Sequence, residues 1–263
     1  MRKIKTIILK EWKEVFKNRM VLFTVAFLPL ILTAIPLGIL IGMGRDASLS
    51  GSMADLPEQI TPFCPPGLSG GDCFQVYLVS QFMIMFMILP MTIPVTIAAY
   101  SIVGEKTNHS LEPLLATPIT TAELLIGKSL GAVIPAILAT FAAFGIFAIG
   151  AWIVVPNRDL LLALVDLRWL LAILLVGPLM AVLAVLVSIM VSSRVTDPRA
   201  AEQIAMVVIL PILLVFFGQL AGVLIVDTRF VLLSALVLLI VDIFLAYLAV
   251  RVFQRESILT RWK

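Results

Sequence analysis

Charged residues and histidine are what this chain has least of. Asp, Glu, Lys and Arg make up 13% of its 263 residues, where a soluble domain carries about a quarter. It has one histidine, His109, and two cysteines, Cys64 and Cys73. Zinc sites and intramembrane metalloprotease centres need grouped His, Cys or Glu side chains. A Ser/His/Asp set at one depth cannot be assembled around His109 alone. No catalytic residue, metal site or bound cofactor is therefore expected, and the chain does not read as an enzyme. Strand-like alternation is also missing, which removes a β-barrel and leaves helices to satisfy the backbone in lipid. No internal repeat is visible, so an inverted-repeat secondary transporter gains no support.

Apolar residues are abundant: 61% of the chain, with a mean hydropathy of +1.13. A helix needs roughly 20 apolar residues to cross a bilayer. Six runs meet that length, at 20–44, 74–104, 129–156, 169–193, 203–226 and 230–250, and only the last carries a charge, Asp242. The first exceeds the apolar part of a signal peptide and no small-residue cleavage site follows it, so it is expected to be a retained span.

Orientation follows the positive-inside rule. With the N-terminus cytoplasmic, the inner segments hold fifteen Lys and Arg and the outer loops four. Both ends, the tail at 251–263 and the 105–128 loop are thus expected on the cytoplasmic side of the cell (plasma or inner) membrane. Although the net charge is +3, the positive residues flank apolar runs and form no basic face, so no nucleic-acid partner is expected.

Residues 1–19 read as an interfacial helix, with Ile4, Ile8, Trp12 and Val15 on one face and lysines on the other. The outer loop, 45–73, contains CPPGLSGGDC. Both thiols fall on the side that permits disulfides, and a Cys64–Cys73 bridge is expected. Prolines in each of the first five spans suggest kinks throughout. Gly38-x-x-x-Gly42 and Gly218-x-x-x-Gly222 offer faces for close helix contact.

Two stretches bear on activity. AELLIGKS, 122–129, ends like a phosphate-binding loop, yet its first glycine is replaced by Ala122 and its interior is not glycine-rich. Thr120 and Glu123 instead form a capping box that opens the third helix, so any ATP must be handled by another polypeptide. Asp242 lies at mid-depth, where a charge is costly. It should face the bundle, a partner or water, serving either transport or helix packing. Gln81 and Gln219 are milder cases.

The stretch GEKTNHSLEPLLATPITTAELLIGK, 104–128, divides into two helical pieces. Ser110 caps a short helix over 111–116, Glu112 suits its N-terminus, and Thr117-Pro118 ends it. Leu111, Leu114 and Leu115 form an apolar knob with a charged rim. It suits either another protein's groove or the membrane surface.

These residues resemble the first cytoplasmic loop of ABC-2-type permeases, the membrane subunits of ABC transporters. The matching positions are Glu105-Lys106, Ser110-Leu111-Glu112, Leu114-Leu115, Thr117-Pro118, Glu123 and Gly127-Lys128. ILKEWKEVFKNR, SSRVTDPRAAEQ and FQRESILTRWK are similar to the family's first helix, second inner loop and tail. The resemblance implies an all-α polytopic membrane protein with six transmembrane helices, an N-terminal interfacial helix and a coupling helix at about 105–117. That helix would dock on a separate ATPase subunit carrying ATP and Mg. Two permease copies, identical or related, would work with two ATPases as an exporter. The path would run between the permeases along the second and fifth helices, making Gln81 and Gln219 candidates beside Asp242. A short re-entrant helix is expected near 217–230. The aliphatic, Phe-rich spans favour a lipophilic or amphipathic cargo. The alternative is a stand-alone channel or a proton-coupled transporter using Asp242.

Overall fold

A computed structural model of the chain describes residues 2–17, 19–45, Cys64, Leu68, 70–107 and 119–252. Helix α1 is Arg2–Lys17 and α2 is Arg19–Arg45. The second span is built from α3, Gly70–Phe86, and α4, Leu89–Thr107. The third is α5, Thr121–Val154. A short helix α6, Arg158–Leu164, precedes the fourth span, which runs through α7, Leu167–Leu171, a π turn at Ala172–Val176 and α8, Gly177–Ser192. The fifth joins α9, Pro198–Ala205, a 3-10 turn at Met206–Ile209 and α10, Leu210–Leu220. Helix α11, Thr228–Val252, is the sixth. Six helical stretches among the described residues are thus long and apolar enough to cross a membrane, and no strand occurs among them.

Helix α4 is the hub and packs against α8, α5, α9 and α2. Ile93, Val95, Ile97, Ala98 and Ala99 point to every side of it, and each is at most 4% exposed. The rim is formed by α2, α10 and α11, which expose Phe23, Leu30, Leu214, Phe217, Leu233 and Ile243. Lipid is as apolar as leucine, so such helices associate through close packing and polar bonds rather than by leaving water. The α4–α8 contact shows both. Small buried residues, Ala181, Ala184 and Ser188, line α8, and the Ser188 hydroxyl donates to the carbonyl of Val95 at 3.3 Å.

Proline acts selectively. Pro29, Pro36, Pro94 and Pro135 lie inside continuous helices and do not break them. Three others coincide with irregular backbone. A proline ring removes the donor for the carbonyl four residues earlier and crowds it. For Pro90, Pro178 and Pro211 those carbonyls belong to Phe86, Leu174 and Val207. They lie at the α3–α4 break, in the π turn and in the 3-10 turn. The three breaks cluster. A β-carbon on Gly177 would lie 4.0 Å from Pro90 Cγ, and the 3-10 turn packs on α4 and α8.

Several boundaries and contacts differ from the sequence reading. Helix α3 starts at Gly70, ahead of the apolar run at 74, while α5 starts at Thr121, at the Thr120 cap that the sequence reading gave as the opening of the third helix. The expected helix near 217–230 is absent: α10 ends at Leu220. Gly222, at φ 70°, closes it, with Gly222 N–H bonded to Gln219 O and Val223 N–H to Gly218 O, both 3.0 Å. This is a Schellman stop, so Gly218 and Gly222 terminate a helix instead of packing two together. The extra short helix is α6 instead, capped by Asn157, whose amide also donates to Asp72 on α3 at 3.3 Å. Gly38 and Gly42 have nothing within 4 Å of an added β-carbon, so they make no close contact among the described residues.

Candidate functional site

The expected coupling residues fall on both sides of a boundary. Glu105 and Lys106 occupy the last turn of α4. Ser110, Leu111, Glu112, Leu114, Leu115, Thr117 and Pro118 lie outside the described residues. The described residues on either side of that segment are the end of α4 and the start of α5.

One stem is α5. The Thr120 hydroxyl accepts from Glu123 N–H at 3.2 Å, and the Glu123 carboxylate accepts from Thr120 N–H at 2.9 Å. This capping box satisfies first-turn donors that have no helical partner. The phosphate-loop look-alike is therefore the first turns of a helix. Its lysine is engaged elsewhere: Lys128 Nζ donates to Glu11 Oε1 on α1 at 2.9 Å and to Ser101 Oγ on α4 at 2.7 Å. Glu11 is 2% exposed and Lys128 5%. One buried ammonium thus joins α1, the end of the second span and the start of the third.

Glycine lets α1 come so close. A β-carbon on Gly127 would lie 2.8 Å from Ile7 Cγ2, and one on Gly131 would lie 3.1 Å from Glu11 Cβ. Gly127-x-x-x-Gly131 is thus the helix-contact motif in use, and the sequence reading passed over it. Trp12 Nε1–H adds a bond to the carbonyl of Gly131 at 3.1 Å, and Lys3 lies 4.0 Å from Glu123.

The expected face of α1 is also corrected. Its buried line is Ile7, Glu11 and Val15, laid against α5 and α2. Ile4, Ile8 and Trp12 are half-buried at its edge. The buried line therefore serves protein packing, while Leu9 and Phe16 are exposed. On another side of α4, the Thr96 hydroxyl donates to Glu202 of α9 at 2.6 Å, and Ala99, Val103 and Ala201 form a small buried cluster there.

Of the three path candidates, Gln81 on α3 and Gln219 on α10 lie on helices that pack together. Gln81 is 6% exposed and Gln219 2%. Both polar atoms of Gln81 and the Gln219 Oε1 are buried without a partner among the described residues. Asp242 sits elsewhere, on the seam Val231, Ala235, Leu238, Asp242, Leu245, Ala249 that α11 lays against α7, the π turn and α8. It is 5% exposed, and neither carboxylate oxygen has a partner among the described residues. Packing buries it, but no hydrogen bond to another helix is made there. At the remaining predicted site, Cys64 and Cys73 are bonded with Cα atoms 5.0 Å apart, inside the usual disulfide range.

Buried ionic and hydroxyl bonds join α1, the end of α4 and the start of α5, and the six apolar spans pack around α4, the hub of the second. Comparison with curated proteins finds no match. Residues 5–230 match the family described as ABC-2 family transporter protein, and with its six apolar spans the chain belongs to that family as a multi-pass membrane permease.

Proposed function

We propose that the chain is the permease subunit of an ATP-driven exporter, working as a dimer with an identical or related permease and driven by two copies of a separate ATPase. The observation that carries this is the joint at the base of the 108–118 segment. Lys128, Glu11 and Ser101 bind α1 and both stems together, which suits a loop that receives a push.

The docking surface is then Glu105, Lys106, Ser110, Leu111, Glu112, Leu114, Leu115, Thr117 and Pro118, facing the cytoplasm with both chain ends, in the cell membrane. ATP and Mg belong to the ATPase. Cargo passes between the permeases along the second and fifth spans, and the packed pair α3–α10 with its unsatisfied Gln81 and Gln219 supports that route. The exposed surface of these spans is aliphatic and aromatic, which favours a lipophilic or amphipathic cargo.

The test is co-purification. Glu112→Ala with Leu115→Ala should abolish capture of the ATPase while leaving membrane insertion intact; unchanged capture refutes the docking assignment. A second reading, proton coupling through Asp242, has one observation in its favour, the unpartnered burial of that carboxyl group. Transport that persists without ATP would favour it.

A further inference from the structure

Burying Glu11 and Lys128 is expensive. Each ion removed from water loses its hydration, and hydrophobic replacements of similar size commonly serve stability as well or better. Stability alone therefore gives this pair no reason to exist, whereas geometry does. The pair lies where three elements converge, and its third member closes a ring: Ser101 and Lys128 stand on opposite stems of the intervening segment, and the 2.7 Å bond between them ties its base shut. A push on an untied loop would splay its stems. A tied loop moves them together.

The same ammonium reaches α1 through Glu11, at 2.9 Å. There the Gly127–Gly131 track, Ile7 and the Trp12 bond to Gly131 give α1 a fitted seat. Helix α1 ends at Lys17 and α2 begins at Arg19, so displacing α1 displaces the first span. A neutral packing contact would hold α1 near α5, but it would not fix both stems and α1 through one atom. Lys suits this because its ammonium offers three donors on a flexible stem.

We propose that Lys128 is a positioning residue for energy coupling: by bonding Glu11 and Ser101 at once, it makes α1 and the two stems of the 108–118 segment move as one block, delivering loop displacement to the first span as well as to the second and third. This rests on the reading of that segment as the ATPase contact.

The test measures backbone amide exchange on the full chain in complex with its ATPase, without nucleotide and trapped with ATP and vanadate. In the native chain, peptides covering both 108–118 and α1 should change on trapping. Lys128→Met alone strands a buried carboxylate and risks misfolding, so the informative variant is Glu11→Gln with Lys128→Met, which removes both charges. There the 108–118 response should persist, while the nucleotide-dependent change in α1 falls by about half or more, the signature of a uncoupled local unit. Lys128→Arg, which keeps the pair, should restore it. A merely structural joint would alter α1 exchange equally in both states and leave the nucleotide difference intact. An α1 response equal in the double variant and the native chain overturns the proposal, as does a native α1 that ignores nucleotide. If 108–118 itself ignores nucleotide while the ATPase is bound, the coupling reading falls and takes this one with it.

Discussion

The hydroxyl of Thr96 donates to the Glu202 carboxylate at 2.6 Å, tying the middle of α4 to α9. Thr96 is 1% exposed, and hydrogen bonds to charged groups are worth about 1.5–3 kcal/mol. Glu202 is half-buried, so part of that value is lost to solvent. Thr96→Val should destabilise the purified protein by about 1–2 kcal/mol, read as a lowered unfolding midpoint in detergent. Thr96→Ser should stay near the native value.

The Glu11–Lys128 joint should show strong non-additivity. Removing either charge alone leaves its partner buried and unpaired, at a cost of about 3–5 kcal/mol, whereas Glu11→Gln with Lys128→Met should cost far less than the sum. A double-mutant cycle on unfolding free energies measures this. Additive losses would mean that the two side chains do not share their burial.

Gly127 has no room for a methyl group, because Ile7 occupies the space. Gly127→Ala should cost about 1–3 kcal/mol through overpacking, and Ile7→Ala in the same chain should recover much of it. Limited proteolysis near α1 checks the assignment: faster cleavage is expected in the single variant and slower cleavage in the pair.

Asp242 has two oxygens in a packed seam that find no partner among the described residues. Asp242→Leu should therefore raise stability by about 1–3 kcal/mol, the cost of burying an unpartnered polar group. If that more stable protein also loses transport, the carboxyl group is retained for function. Native transport together with a stability gain would remove any functional need for it.

The cysteine pair closes a ten-residue loop at the start of the second span. In the chain-entropy model such a closure contributes roughly 2–3 kcal/mol, so reductant should lower the unfolding midpoint of the native chain and leave a Cys64→Ser, Cys73→Ser variant unmoved. Intact mass without reduction should be lower by two hydrogens.

Composition and run length made the six spans legible, and the Thr120–Glu123 spacing made the start of α5 legible, because both signals are local. Glu11 was not. A charged residue on a helix reads as solvent-facing until its partner is known, and Lys128 lies 117 positions away in sequence. Gly127-x-x-x-Gly131 was overlooked for a related reason, since a lysine inside it disguises a packing face as a polar one. The prolines looked alike in sequence. Which of them break a helix depends on neighbouring packing, and the Pro90–Gly177 contact is a tertiary fact. The short helix before the fourth span carried its own cue, Asn157 followed by Arg158 and Asp159, but the resemblance directed attention to 217–230 instead.

Pro90, Pro178 and Pro211 each forfeit one rung of helical bonding, and they do so where three neighbouring spans touch. Bending a regular helix means first breaking rungs, whereas at this level those rungs were never made. The second, fourth and fifth spans thus share a pre-cut level, and close to it they are cross-tied by Thr96–Glu202 and Ser188–Val95, while α2, α5 and α11 run on unbroken. Bending these three spans at that level breaks fewer helical rungs than bending the regular backbone of α2, α5 or α11 would.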